Sequence, residues 1–122
     1  MRTPLPRRAR VAAISRSSGQ PFDIRVTTDH ADAVVALTGE LDVVSADVLE
    51  REVRALRLAG FHRVVVDLRH VEFLDSTALQ VLLRLHDRAQ REGHELILVR
   101  GPGQTQRIFE LTGTDMVFDW RD

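Results

Sequence analysis

The stretch RVVVDLRHVEFLDSTALQVLLRL, residues 63–85, contains both the predicted central strand and the candidate site. Its first part, residues 63–68, is a nearly continuous apolar run, which is typical of a strand buried on both faces of a sheet. Residues 71–85 then pass from another apolar segment through the triplet Asp-Ser-Thr into a helical pattern. Because no loop separates the two patterns, the serine is predicted to lie at the N-terminus of a helix.

The sequence on either side alternates between strand and helix patterns. Residues 22–28 and 33–39 predict a hairpin of two strands joined by the polar residues DHAD. A helix that Ser45 caps and Gly60 ends should follow, and Gly93 should end the helix after the triplet. Three further elements are predicted: a buried strand at 95–100, a short helix at 104–111 and an optional strand at 116–120.

This order of elements predicts an α/β fold. Strands joined through helices run parallel by right-handed crossovers, whereas the hairpin adds an antiparallel pair. The expected architecture is a mixed, mostly parallel β-sheet with helices packed mainly on one face. With 122 residues the chain fits one domain, which can bury roughly two thirds of its unfolded surface.

The N-terminal segment differs in composition from the rest of the chain. Residues 1–20 contain five arginines, no acidic residue and little apolar periodicity, so we predict a disordered basic tail that the fold does not need. The predicted domain, residues 21–122, then has 12 basic residues against 18 acidic ones, a formal charge of −6. An acidic domain argues against direct DNA binding, which normally uses a basic surface.

Composition also excludes several classes of function. The chain has no cysteine, which excludes disulfides, thiolate metal sites and a cysteine nucleophile. Its five histidines never fall at the short spacings of metal-binding motifs, so no metal site is predicted. No apolar run is long enough for a membrane span, and residues 1–20 lack the apolar core of a secretory signal. We therefore expect a cytoplasmic protein.

The triplet at residues 75–77 has two physical interpretations. The simpler one is helix capping, because Asp, Ser and Thr all accept hydrogen bonds from the first helical amides. The alternative is a switch, because a phosphate on Ser76 would lie at the positive end of the helix dipole and add charge beside Asp75 without unravelling the helix. A serine hydrolase is disfavoured, since Leu74 and Ala78 occupy the positions of the two glycines in a nucleophile elbow.

Three ordered segments resemble STAS domains, particularly the bacterial anti-sigma factor antagonists. The segments are VVALTGELDVVSADVLEREV, VVVDLRHVEFLDSTALQVLL and VRGPGQTQRIFELTGTDMVFDW, which together span nearly the whole predicted domain. By this resemblance Ser76 matches the serine that a cognate kinase phosphorylates, and residues 39–42 match the turn into the first helix. The resemblance implies a partner-binding surface made of Asp42, Asp75, Ser76, Thr77 and Ala78.

The resemblance implies a protein partner switch. The unphosphorylated chain would bind an anti-sigma factor that is also a serine kinase, and would thereby release a sigma factor. Phosphorylation of Ser76, with Thr77 as the second choice, would end the complex, and a serine phosphatase would reset it. Ser76 is then a substrate residue, so we expect no enzymatic activity, no catalytic residue and no cofactor in this chain.

One residue departs from the family pattern. Ala78 stands where the family often has glycine, and we expect its methyl group where a partner or kinase approaches. This departure keeps a second function open, in which the chain is a non-switching STAS scaffold or a subunit of a signalling or lipid-transport assembly. In that case Ser76 would only cap the helix.

Overall fold

Six strands form one sheet in the computed structural model, which describes the backbone of residues 9–15 and 21–122 and side chains from residue 22 onward. The strands lie in the sheet in the order in which they occur in the sequence. The elements are β1 (Ala9–Ser15), β2 (Pro21–Asp29), β3 (Asp32–Leu41), α1 (Val43–Leu58), β4 (Arg63–Leu74), α2 (Ser76–Glu92), β5 (Glu95–Val99), α3 (Gly103–Thr112) and β6 (Asp119–Arg121).

The direction of the strands confirms the predicted mixed, mostly parallel sheet. The first three strands pair antiparallel, and the predicted hairpin is formed by β2 and β3. From β3 to β6 each neighbouring pair is parallel, and a helix crosses over between one strand and the next. The N-termini of α1 and α2 therefore follow the carboxyl ends of two adjacent parallel strands, β3 and β4.

The hydrophobic core lies on one face of the sheet. Val64, Val66 and Leu68 of β4 belong to the core, whereas Val65 points to the opposite face, as the alternation of a strand requires. The three helices contribute buried residues to this same core, for example Leu49, Leu82 and Phe109. The helices therefore pack on one face, as predicted from the order of elements.

The opposite face of β4 carries a buried carboxylate. The Asp67 side chain is only 7% exposed, and its Oδ2 lies 2.8 Å from Nη2 of Arg69. Burial acts to raise the pKa of Asp67, but hydrogen bonds from the side chain and amide of Arg69 outweigh it, so the pKa lies below its ordinary value of 3.8. This ion pair therefore fixes the conformation of β4 where the strand leaves its pairing with β5, at Asp67.

Several helix and strand boundaries differ from the predicted ones, and β4 differs most, because it continues to Leu74 beyond the predicted end at Leu68. Ser45 does not cap α1, because the carboxylate of Asp42 already accepts hydrogen bonds from the first amides and starts the helix at Val43. The last strand begins at Asp119 instead of Met116, because Thr114–Met116 forms a single 3₁₀ turn after α3. The errors at the start of α1 and at the start of β6 are shifts of three residues, and the predicted elements themselves are present.

The prediction of a disordered tail is wrong for residues 9–15. These residues form β1, which pairs antiparallel with β2 from Ala9↔Thr27 to Ser15↔Pro21. The outer edge of β2 offers unpaired amide and carbonyl groups, and pairing with them requires no strong apolar periodicity in the added strand. Residues 1–8 and 16–20 of the predicted tail lie outside the described residues.

Candidate functional site

The candidate site lies at the carboxyl ends of β3 and β4. These parallel strands end together, with Leu41 paired to Leu74, and the amide of Asp75 donates a hydrogen bond of 3.2 Å to the carbonyl of Leu41. Asp42, which follows β3, is the N-cap of α1, and Asp75, which follows β4, is the N-cap of α2. The fold thus brings together two parts of the predicted partner surface that are far apart in sequence. We refer to this region as the carboxyl edge.

Asp75, and not Ser76, caps α2. The Asp75 Oδ1 accepts a hydrogen bond of 2.9 Å from the amide of Ala78, and its carbonyl accepts one of 3.0 Å from the amide of Leu79. Ser76 and Thr77 are exposed, and within the described residues the Ser76 hydroxyl has no hydrogen-bond partner. The idea that Ser76 only caps the helix is therefore wrong, because the neighbouring aspartate already does so.

The first amides of α2 remain available to a ligand or modification. The amides of Ser76 and Thr77 have no hydrogen-bond acceptor in the part of the chain that the structure describes. Such unbonded amides and the positive end of the helix dipole stabilise a nearby anion. A phosphate on Ser76 would therefore lie in a favourable electrostatic environment within the chain itself.

Ala78 does not contribute to the exposed surface of the site. Its relative exposure is 0%, and it belongs to the hydrophobic core below the first turn of α2. This burial shows that the expected contact between the Ala78 methyl group and a partner or kinase is wrong. Alanine at this position instead fills the core and favours the helix by about 1 kcal/mol relative to glycine.

The turn into α1 is closed by a capping box. Asp42 Oδ1 accepts hydrogen bonds from the amides of Val44 and Ser45, at 3.1 and 3.2 Å. The Ser45 Oγ in turn accepts a bond of 2.8 Å from the amide of Asp42 and donates one of 2.8 Å to the carbonyl of Glu40. These reciprocal bonds leave the backbone between Glu40 and Ser45 little freedom, so Asp42 is held in a fixed position beside α2.

The carboxyl edge also exposes three apolar side chains that the sequence reasoning did not assign to the site. Val43 is 61% exposed, Val44 47% and Phe73 51%. Val43, Val44 and Thr77 line a shallow groove between the N-terminal halves of α1 and α2. Val43 gave a signal in the sequence, because it lies at neither three nor four residues from the apolar residues Val48 and Leu49 of α1. Exposed apolar side chains that lie next to one another, as Val43 and Val44 do, are typical of an interaction surface.

The segment before Asp75 is held from the side by α3. The hydroxyl of Thr105 donates a hydrogen bond of 2.5 Å to the carbonyl of Val71, and Gln104 Nε2 donates one of 3.0 Å to the carbonyl of Glu72. Gly101, just before α3, allows this approach, since a β-carbon there would lie 2.7 Å from the carbonyl oxygen of Leu68. The strand that leads to Asp75 is therefore fixed to α3 beyond its pairing with β5.

The described part of the chain shows neither a cluster of metal-ligating side chains nor a helix that could span a membrane. Among residues 9–15 and 21–122, no group of three or more histidine, aspartate and glutamate side chains is arranged to hold a metal ion. The helices within these ranges are also too short or too polar to cross a membrane. The carboxyl edge consists of two carboxylates, two exposed hydroxyls and three exposed apolar side chains.

Sequence comparison relates this chain to a known family. The model of the STAS domain matches residues 22–121. The anti-sigma-B factor antagonist of Staphylococcus aureus is 30% identical over 92 residues, which cover 75% of this chain and 85% of that protein. The matched region thus contains both helix N-termini of the carboxyl edge.

Solved structures show the same fold. An anti-sigma factor antagonist from Mycobacterium paratuberculosis has a TM-score of 0.72 and 30% identity, covering 88% of this chain and 89% of that one. SpoIIAA in its unphosphorylated form has a TM-score of 0.69 at 15% identity, covering 81% and 88% of the two chains. The phosphorylated form of SpoIIAA from Bacillus gives 0.64 at 14% identity, covering 81% and 91%. The two SpoIIAA likenesses concern the fold alone, whereas the family model covers nearly the entire described domain, and the chain therefore belongs to the STAS domain family.

Proposed function

We propose that this chain is an anti-sigma factor antagonist whose binding is switched by phosphorylation of Ser76. In the unphosphorylated state it binds an anti-sigma factor with serine kinase activity and so releases a sigma factor. The observation that carries the proposal is the Ser76 hydroxyl, which is exposed and unbonded in the described structure while Asp75 caps the helix. The names of the relatives from Staphylococcus aureus and Mycobacterium paratuberculosis support the same function.

The carboxyl edge has the composition of a partner-binding surface. Val43, Val44 and Phe73 supply exposed apolar area. Asp42 and Asp75 supply charge next to it, and Ser76 and Thr77 supply hydroxyls, as in interfaces with an apolar centre and a polar rim. The backbone of this surface is fixed by the two N-caps, so little ordering is needed on binding.

Phosphorylation acts on this surface through charge. A phosphoserine at Ser76 adds about −1.5 to −2 charges beside Asp75, while the free amides of α2 keep the helix intact. In a closely packed interface such a group must lose its water without gaining a counter-charge, which costs several kcal/mol. The modified chain therefore stays folded and loses its partner. The kinase supplies ATP and a separate serine phosphatase removes the phosphate, so this chain needs no cofactor or catalytic residue of its own. The proposed place of action is the cytoplasm.

The test is a paired binding experiment with the full chain. Wild type, Ser76→Ala and Ser76→Glu serve as baits in lysate of the native host, and retained proteins are identified by mass spectrometry. We expect wild type and Ser76→Ala to retain an ATPase with kinase activity, and Ser76→Glu to retain at least about tenfold less. The purified kinase should then transfer phosphate from ATP to wild type and not to Ser76→Ala.

The matched control is Gln90→Glu, which adds one negative charge at the exposed, opposite end of the same helix. This variant should retain the kinase like wild type. If Ser76→Glu and wild type retain the same assembly in equal amounts, the switch proposal is wrong and the chain is a scaffold or a subunit of that assembly.

A further inference from the structure

A second groove lies between the C-terminal halves of α1 and α2, at the opposite end of these helices from the carboxyl edge. Its volume is about 720 Å³, and the buried residues Val53, Leu85 and Ala89 line it. Leu58, which is 85% exposed, also lines the groove. Because five arginines surround this apolar floor, we refer to it as the arginine groove.

The charge of the arginine groove is opposite to that of the domain. Five of the domain's 12 arginines line it, namely Arg54, Arg57, Arg84, Arg88 and Arg91. Only three carboxylates line it, those of Glu50, Asp87 and Glu92. Residues 21–122 as a whole carry more acidic than basic residues, so this local positive excess is not a consequence of composition.

Three of the five arginines have roles within the fold. Arg84 and Arg91 form ion pairs with Glu50 and Asp87, at 3.1 and 3.0 Å. Arg57 donates hydrogen bonds to the carbonyls of Phe61, His62 and Glu95, and so joins the end of α1 to the start of β5. Burial lowers the pKa of Arg57, but a guanidinium remains charged at neutral pH.

Arg54 and Arg88 have no such role. Both side chains are exposed, and among the residues whose side chains the structure describes neither forms an ion pair. They face the same groove from different helices, Arg54 from α1 and Arg88 from α2. Neither lies in the last turn of its helix, where the structure has Arg57 and Arg91 and where the helix dipole favours a cation.

We propose that the arginine groove binds an acidic amphipathic helix of a partner protein. Two neighbouring helices with an apolar floor between them accept the apolar face of a third helix. From Glu50 to Leu58 the groove follows α1 for about 12 Å, or about two helical turns. Carboxylates of the partner helix, on either side of its apolar face, would form ion pairs with Arg54 and Arg88. The proposal does not rest on the switch at Ser76, because none of the residues that line the arginine groove belongs to the predicted partner surface.

The test uses a fluorescein-labelled synthetic helix of about 18 residues, or five turns, with leucines on one face and glutamates elsewhere. Its binding to the full chain is measured by fluorescence anisotropy. We expect Arg54→Glu/Arg88→Glu to weaken binding at least about tenfold, and added salt to weaken the wild-type complex. An otherwise identical peptide with lysine in place of glutamate should not bind.

The matched control is Arg107→Glu/Arg121→Glu, which makes the same change in net charge at two exposed arginines outside the groove. This variant should bind the peptide within about twofold of wild type, and thermal melting should show that both double variants are folded. Equal weakening by both double variants would overturn the proposal, because the attraction would then be non-specific. Absence of peptide binding by wild type would also overturn it, as would binding of wild type to phosphatidylglycerol vesicles in place of the peptide.

Discussion

Asp75 and Ser76 are neighbours at the start of α2, yet only the aspartate side chain bonds to the helix. The backbone of Asp75 is extended, with φ −95° and ψ 178°, which is the conformation of an N-cap, whereas Ser76 is already the first helical residue. The sequence could place the triplet at a helix N-terminus, because an apolar strand changes there into a helical pattern. It could not assign the cap, because Asp, Ser and Thr all cap helices well.

This difference predicts unequal effects of two neighbouring substitutions. Asp75→Ala removes the bond to the Ala78 amide and should lower the free energy of unfolding by about 1 kcal/mol. Ser76→Ala removes an exposed, unbonded hydroxyl and should change it by less than about 0.5 kcal/mol. Urea denaturation of both variants measures the two values. A larger loss for Ser76→Ala than for Asp75→Ala would contradict the assignment of the cap.

At the scale of elements, β4 shows why boundaries and side-chain directions were harder to predict than the elements. The apolar run ends at Leu68, but the strand continues to Leu74, where it pairs with the end of β3 and bonds to α3. These contacts join residues far apart in sequence, so the pattern of apolar and polar residues within β4 does not indicate them. The inward direction of Ala78 likewise depends on how α2 packs against the core, and only the resemblance to the family motif had suggested a surface position.

The ion pair on β4 predicts a pH dependence of stability. The folded-state pKa of Asp67 lies below its ordinary value of 3.8, so the pair stabilises the fold above that pH, and its contribution is lost as the pH falls through the folded-state pKa. Arg69→Ala should therefore lower the melting temperature at neutral pH, and the difference from wild type should shrink below a pH of about 3.8. Arg107→Ala, at an exposed arginine, is the control. A difference for Arg69→Ala that is the same at neutral and at acid pH would refute this role.

At the scale of the whole molecule, β1 is the largest departure from the sequence prediction. Residues 9–15 alternate only weakly, and their stability as a strand comes from the open edge of β2. The sequence does not reveal this edge, because it depends on which strand pairs with β2 on its other side. The parallel part of the sheet could be predicted, because each crossover appears in the sequence as a strand pattern followed directly by a helix pattern.

The pairing of β1 with β2 predicts that residues 1–20 stabilise the fold, whereas their composition predicted that the fold does not need them. Deletion of residues 1–20 removes β1 and exposes the backbone of β2, so it should lower the melting temperature by about 4 °C or more and promote self-association. Scanning calorimetry and light scattering measure the two effects. A variant that lacks only residues 1–8 retains β1 and is the matched control. An unchanged melting temperature after the full deletion would show that β1 is dispensable.

The sequential order of the strands has a consequence for folding kinetics. Each strand after β1 pairs with the strand that precedes it along the chain, and the widest separation between paired residues, from Leu41 to Leu74, is about a quarter of the chain. Closing a loop of this length costs less entropy than closing one across the whole chain, and the antiparallel pairs, which close the shortest loops, are expected to form faster than the parallel ones. During synthesis, each newly made strand of this chain can therefore add to the edge left by the one before it, so that the sheet grows from the N-terminal side toward β6.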